Sequence, residues 1–323
     1  MRMMALAASA ALLSSLANVA EAQNAESLSG TSGRYTAVME MDTTLADHTV
    51  YRPADLSKVQ GKLPVVSFGN GGCVNIGSAF KTLLGEVASH GYLAIATGPI
   101  GPEPAFPGPR PPAAGALPPA GPPAGGPPGG MPFEQSKTES LVKAIDWAIA
   151  ENARKGSPYY GRIDTTKIAV AGQSCGGLQA IAVGADPRVT TVMVLNSGII
   201  RGGIPTPDGG TRQPAGYLPA SDADLPKLHT PMLYLIGGEK DQAHRGAEGD
   251  FEAIQKVPVF NANTPVGHGG TWRQPGGGAM GKVAIDWLNW RLKGDTEAAK
   301  TFNGDPCGLC KDTAWTVKRK NWK

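Results

Sequence analysis

Gly172-Gln173-Ser174-Cys175-Gly176 is the segment of this 323-residue chain with the clearest chemical meaning. A serine hydroxyl becomes a nucleophile only when a base removes its proton and its oxygen stands clear of the surrounding backbone. Flanking glycines meet the second demand, because they let a strand turn sharply into a helix with the serine at the apex. The apolar strand Lys167–Ala171 stands directly before the motif, and a helix-compatible segment from Gly177 follows it. In that context Ser174 is the expected nucleophile; the competing reading is a glycine-rich turn that happens to hold a serine.

A base and an orienting acid must follow, in the chain order serine, carboxylate, histidine for a serine on such a turn. Of five histidines, His48 and His90 precede Ser174. His90 closes a helix in Ser89-His90-Gly91, where capping accounts for it, and His229 sits before a strand, facing the opposite sheet edge. His268, in Val266-Gly267-His268-Gly269-Gly270, follows the last strand, where a loop can swing its ring over the serine. His244 competes, but it lies three residues after Asp241, which suits the acid: Asp241 follows Leu233-Tyr234-Leu235-Ile236-Gly237-Gly238, again at the carboxyl end of a strand. The expected set is Ser174, His268 and Asp241, with Glu239 the reserve acid. His244 is either a cleft residue or solvated, and Trp272 either lines the cleft or packs.

Charge developing on a carbonyl oxygen needs fixed donors, commonly two backbone N–H groups. One belongs to the residue after the nucleophile, Cys175. The other is expected from the glycine-rich loop Gly69-Asn70-Gly71-Gly72-Cys73, with Cys73 preferred and Gly72 the alternative. An ordinary glycine turn is the competing explanation for that loop.

The elements that must hold these residues read as an α/β protein. Tyr35–Met41 and His48–Tyr51 are short extended segments, expected to form an antiparallel pair at a sheet edge. Leu63–Phe68 is a nearly continuous apolar run, as a strand buried on both faces requires. A helix over Phe80–Ser89 and a strand over Tyr92–Thr97 complete a strand–helix–strand unit. The alternation resumes with a helix near Lys137–Asn152, the strand Lys167–Ala171, a helix from Gly177 and a strand Val189–Leu195. It ends with strand Met232–Ile236, a helix around Phe251, strand Val257–Asn261 and a helix from about Met280 to Leu292. In that last helix Val283, Trp287 and Trp290 recur at helical spacing. The expectation is a mostly parallel, doubly wound sheet flanked by helices, with antiparallel N-terminal edge strands.

Residues 1–22 read as an export leader: Arg2, an apolar stretch Met3–Leu16, and a small-x-small site at Ala20-Glu21-Ala22. The mature chain, residues 23–323, is then a single exported domain, periplasmic or secreted, and no later stretch is long enough to span a membrane. Residues 102–132, dominated by Pro, Gly and Ala, form an insertion that cannot bury a core of its own. It leaves the carboxyl end of a parallel strand, so a tolerated surface loop competes there with a substrate-contacting lid. A net charge of +3 is too small and dispersed for a nucleic-acid partner, and Lys318-Arg319-Lys320 is read as a solvated end.

Gly72 to Leu84, Ala88-Ser89-His90-Gly91-Tyr92, Gly172 to Gly177, Asp241 and His268 together resemble the dienelactone-hydrolase, chlorophyllase and bacterial polyester-hydrolase (cutinase-like) branch of the α/β-hydrolases. The resemblance covers roughly Leu63 to Leu292. It implies the α/β-hydrolase fold and hydrolysis of small or polymeric carboxylic esters through an acyl-enzyme, with neither metal nor organic cofactor, and it places the oxyanion donor on Cys73. The chain departs from the polyester hydrolases in having cysteine at both oxyanion positions, where those enzymes commonly carry an aromatic residue and a methionine. The insertion is also foreign to them, so substrate does not transfer with the likeness.

Four cysteines in an exported chain allow disulfides in three pairings. Their distribution favours Cys73 with Cys175 and Cys307 with Cys310. Two residues donating to one oxyanion must lie within disulfide reach of each other, so a bridge would brace the site, free buried thiols being the alternative. Cys307-Gly308-Leu309-Cys310, in the tail 303–323, lacks the setting of a redox motif and a complete zinc ligand set, and is read as a staple. Rival functions are a non-catalytic binding scaffold, an envelope interaction protein using the Pro/Gly segment, and an amidase or thioesterase.

Overall fold

Strand segments rich in Val, Ile, Leu and Ala assemble into one mostly parallel ten-stranded sheet flanked by helices, as a computed structural model of residues 25–102, 134–205, 210–212 and 217–322 shows. The leader and nearly all of the 102–132 insertion lie outside the described residues. The strands are β1 (Glu26–Leu28), β2 (Ala37–Glu40), β3 (His48–Pro53), β4 (Leu63–Gly69), β5 (Leu93–Thr97), β6 (Ile163–Gln173) and β7 (Thr191–Leu195). A two-residue antiparallel pair follows, β8 (Ile204–Pro205) with β9 (Thr211–Arg212), and then β10 (Met232–Ile236), β11 (Val259–Asn263) and β12 (Thr316–Lys320). The main sheet has the order β1-β2-β3-β5-β4-β6-β7-β10-β11-β12. Pairing is parallel from β5 through β11 and antiparallel outside it, at both edges.

Successive residues of a strand face opposite sides of a sheet. Val66 and Phe68 of β4, Ala169 and Ala171 of β6, and Leu233 and Leu235 of β10 enter one core with helices α1 (Lys81–Ser89) and α5 (Gly278–Lys293). Their neighbours Val65, Ile168, Val170, Met232 and Tyr234 enter the other, with α2 (Thr138–Ala153), α3 (Cys175–Val183) and α4 (His244–Ala253). Two covered faces explain why the central strands are apolar throughout.

From β4 the chain passes through α1 to β5 on one side, then through α2 to β6 on the other. The carboxyl ends of β4 and β6 therefore flank a reversal of winding, where open α/β sheets form a crevice. The loop 70–77 and Ser174 both lie there.

Several expected boundaries shift. Helix α3 begins at Cys175 rather than Gly177, and β11 runs from Val259 to Asn263 rather than from Val257 to Asn261. The basic cluster Lys318-Arg319-Lys320 is not a solvated end. It lies in β12, antiparallel to β11, where Lys320 donates to the carbonyls of Phe251 and Glu252 at 3.0 and 2.8 Å and Lys318 pairs with Glu248. After α5, a short helix α6 (Thr296–Ala299) and a cross-link lead into this strand. Two disulfides are present, Cys73–Cys175 and Cys307–Cys310, with Cα separations of 5.2 and 4.9 Å. No helix of the described residues is long and apolar enough to cross a membrane.

Candidate active site

Ser174 leaves β6 with φ 53° and ψ −119°, a backbone conformation that a side chain tolerates only under constraint from its surroundings. The constraints are visible. Its N–H donates to the Leu195 carbonyl at 2.9 Å, and its own carbonyl accepts from Gly177 N at 2.9 Å and Ser197 Oγ at 2.6 Å. The glycines of the motif are steric necessities: a Cβ at Gly172 would stand 2.2 Å from the Gly176 oxygen, and one at Gly176 would stand 2.0 Å from the Gly69 oxygen. The end of β4 and the first turn of α3 thus touch backbone to backbone.

The loop after β11 carries His268 over the serine. His268 Nε2 lies 2.9 Å from Ser174 Oγ, and Nδ1 lies 2.6 Å from Asp241 Oδ1. With the ring neutral, Nδ1–H donates to the carboxylate and leaves Nε2 to accept the serine proton. Gln173 Nε2 donates to the His268 carbonyl at 3.0 Å and fixes the loop.

Asp241 is fully buried at the end of β10. Burial pushes its carboxyl up, but the hydrogen bond and charge of His268, with the Ala243 N–H and the Asn196 amide, outweigh burial and hold it below the ordinary aspartate value. Its Oδ2 accepts from Gly237 N at 2.9 Å and Asn196 Nδ2 at 2.7 Å, and Oδ1 accepts from Ala243 N at 2.9 Å. A carboxylate with this many donors stays ionised and keeps its orientation.

Asn196 follows β7 at φ 43° and is fully buried. Beyond Asp241, its amide reaches the Gly267 carbonyl at 3.2 Å, and its oxygen accepts from Trp272 Nε1 at 2.7 Å. Trp272 is therefore not a cleft residue. Its ring is 2% exposed and packs in the core beneath the acid. Nothing in the spacing of Leu195-Asn196-Ser197 distinguishes Asn196 from a turn residue, and neither Asn196 nor Gln173 was legible as a site residue.

The other candidates sit apart from this chain of hydrogen bonds. His244 opens α4, with its amide on the Asp241 carbonyl at 2.9 Å, and its ring makes no hydrogen bond among the described residues. Glu239 is exposed beside the loop. His48 is buried between Asp47 and the Ser140 carbonyl, His90 contacts Glu86 at 3.0 Å, and His229 contacts the Asp186 carbonyl at 3.0 Å. Among the described residues no group of three or more His, Cys, Asp or Glu is placed to hold a metal ion.

Cys175 is the first residue of α3, and its N–H is one of the donors that a helix start leaves without an intrahelical partner. Across from it, Asn70 Nδ2 gathers the carbonyls of Val74, Ile76 and Thr97 at 3.1, 3.1 and 2.7 Å, which folds the loop after β4 into a compact turn. Gly72 and Cys73 both have positive φ there. The Cys73 N–H closes the turn by donating to the Asn70 carbonyl at 3.1 Å, and the Cys73 carbonyl accepts from Ser136 N at 2.7 Å. The Cys73–Cys175 disulfide joins the two sides of the crevice. No family model matches this chain, and no curated protein matches it.

Proposed function

We propose that this chain is an exported serine hydrolase of the α/β-hydrolase type, in the branch of dienelactone hydrolases, chlorophyllases and bacterial polyester hydrolases, and that it cleaves carboxylic esters. The observation that carries the reading is the continuous chain Ser174 Oγ, His268, Asp241 at 2.9 and 2.6 Å. His268 Nε2 takes the Ser174 proton as Oγ bonds to the ester carbonyl carbon. The oxyanion is held by the Cys175 amide and a donor of the loop after β4: Cys73, sharing its hydrogen with Asn70, or Gly72. Each such donor contributes about 10²–10³ in rate. His268 then gives its proton to the leaving alkoxide, and an acyl group remains on Ser174. Water, deprotonated by the same imidazole, releases the acid, while Asp241 stabilises the imidazolium throughout.

The substrate side favours apolar esters, small or polymeric. Ile100 and Val266 are exposed apolar side chains on the segments that leave the carboxyl ends of β5 and β11, the edge that carries Ser174. Two disulfides suit an oxidising compartment and the leader read at residues 1–22.

The test is Ser174→Ala with a short p-nitrophenyl ester and a fluorophosphonate probe. Turnover and labelling both vanish while the circular dichroism spectrum is retained. Full residual activity refutes the assignment, and a wild-type protein that neither hydrolyses nor labels is a binding scaffold.

A further inference from the structure

We infer that the Cys73–Cys175 disulfide is a positioning device that sets the spacing between the two halves of the oxyanion site, so that its reduction lowers kcat while the fold persists. The inference rests on the hydrolase reading above and deepens it.

Cys175 and Cys73 belong to elements far apart in the chain, 102 residues from each other. Each half is ordered internally. Asn70 organises the loop after β4, and the helix start of α3 organises the nucleophile turn. What sets one half against the other is a different matter. The strand ends are in register, with Gly69 paired to Gly172; Gly69 also lies backbone to backbone against Gly176, and the Gln179 and Gln173 side chains reach Gly69 and Gly71. A further tie is indirect: Gln179 of α3 donates to the Ser136 carbonyl at 2.8 Å, and Ser136 N donates to Cys73 O at 2.7 Å. The ladder ends at Gly69 and Gly172, short of the donors, and oxyanion donors tolerate little displacement, because their energy depends on hydrogen-bond distances near 3 Å. The bridge is the covalent link beyond the ladder, and it joins Cys175 to Cys73, residues on the two sides that the hydrolase reading assigns to the oxyanion.

The substituted atoms are side-chain sulfurs, and the amides of residues 73 and 175 survive reduction or replacement. A loss of rate then reports placement of the donors, not their removal. The step itself is an exchange with an added dithiol. The Cys73–Cys175 S–S bond breaks, two electrons and two protons pass from dithiothreitol, both cysteines become thiols, and the reagent closes to its cyclic disulfide.

The experiment uses the full chain carrying Cys307→Ser and Cys310→Ser, in which Cys73–Cys175 is the one reducible bond. Dithiothreitol is applied until peptide mapping shows both thiols alkylatable in a parallel sample. The expected result is a fall in kcat of about 10- to 100-fold, short of the loss of a whole donor. KM shifts less than about threefold, because ground-state binding does not use the oxyanion donors. Circular dichroism is unchanged, and reoxidation restores kcat. An unchanged kcat in the fully reduced, folded protein overturns the inference. Where reduction unfolds the chain, Cys73→Ser with Cys175→Ser decides: lowered kcat in a folded variant supports the device, whereas wild-type kcat or failure to fold overturns it. Oxidised protein that neither hydrolyses the ester nor takes fluorophosphonate at Ser174 instead removes the hydrolase reading itself.

Discussion

Trp272 donates its indole N–H to the Asn196 side-chain oxygen at 2.7 Å, and the Asn196 amide donates to Asp241, also at 2.7 Å. A core tryptophan thereby fixes the rotation of the amide that fixes the acid. Trp272→Phe keeps most of the packing but strands a buried acceptor, a loss of about 1–3 kcal/mol in stability. With Asn196 free to turn, kcat for a short ester is expected to fall roughly tenfold, equivalent to about 1.4 kcal/mol. KM stays near its wild-type value. A kcat equal to wild type would show that Asn196 holds Asp241 without the indole.

Asp241→Asn leaves the shape of the site and removes its charge. The new amide presents N–H groups to a ring that now donates through Nδ1, so the histidine is driven to the wrong tautomer. A drop in kcat of about 10³–10⁴ follows, with folding intact. Steady-state kinetics beside a thermal melt check it, and a loss under tenfold would argue for another acid.

Gly176→Ala tests the contact between β4 and α3. The added methyl meets the Gly69 carbonyl oxygen at 2.0 Å and its carbon at 2.1 Å, backbone atoms that cannot rotate away. The expected cost is about 3 kcal/mol or more, read as a lowered unfolding midpoint or absence of soluble protein. A folded variant of wild-type stability would require the two elements to be looser than they stand.

Asp250 gives a signature in pH. Burial pushes its carboxyl up to about 6, against the pull of Ile199 N–H, the Arg201 ion pair at 2.9 Å and the Tyr234 hydroxyl. The ordinary value is 3.8, so between pH 3.8 and 6 the folded state binds more protons than the unfolded state. Its contribution to stability is fully present below the lower value and is lost as pH rises through about 6. Asp250→Asn does not titrate. The unfolding free energy of wild type minus that of the variant should fall by roughly 1–3 kcal/mol from pH 4 to 7. Chemical denaturation across that range measures it, and a pH-independent difference would contradict the assignment.

The two disulfides should differ in weight. One closes a separation of 102 residues, the other a separation of 3. Chain entropy gives about 5 kcal/mol for the first and about 2 kcal/mol for the second. Paired Cys→Ser variants, unfolded in urea under matched conditions, provide the comparison, and equal losses would point to strain or residual structure in the unfolded chain.

The α/β class was legible because both faces of the central strands are covered, which leaves uninterrupted apolar runs in the sequence. Met232–Ile236 matches β10 residue for residue for that reason. Ser174, Asp241 and His268 were legible because each stands just past such a run. β11 was misplaced by two residues because Asn261 and Asn263 are buried polar residues, Asn263 donating to Asn261 and Asn261 to Glu248, so apolarity does not mark its end. Helix α3 begins earlier than its composition suggests, since Gly176 and Gly177 are poor helix formers retained for close contact with β4 and Ser197. Asn196 and Trp272 are 76 residues apart, and only the folded sheet brings them together. β12 was missed because Lys318, Arg319 and Lys320 resemble a polar tail, yet an edge strand can be charged, since it pairs on one side only and its other border faces no strand.

That last strand has a consequence for the molecule among its copies. A sheet edge is a template on which another chain can add a strand, and ten-stranded growth could continue indefinitely. Here one border ends in three consecutive cations, and the other ends in β1, three residues long. Two copies meeting at β12 repel each other, and a meeting at β1 offers too short a ladder to persist. Both borders thus keep the protein from polymerising through its sheet.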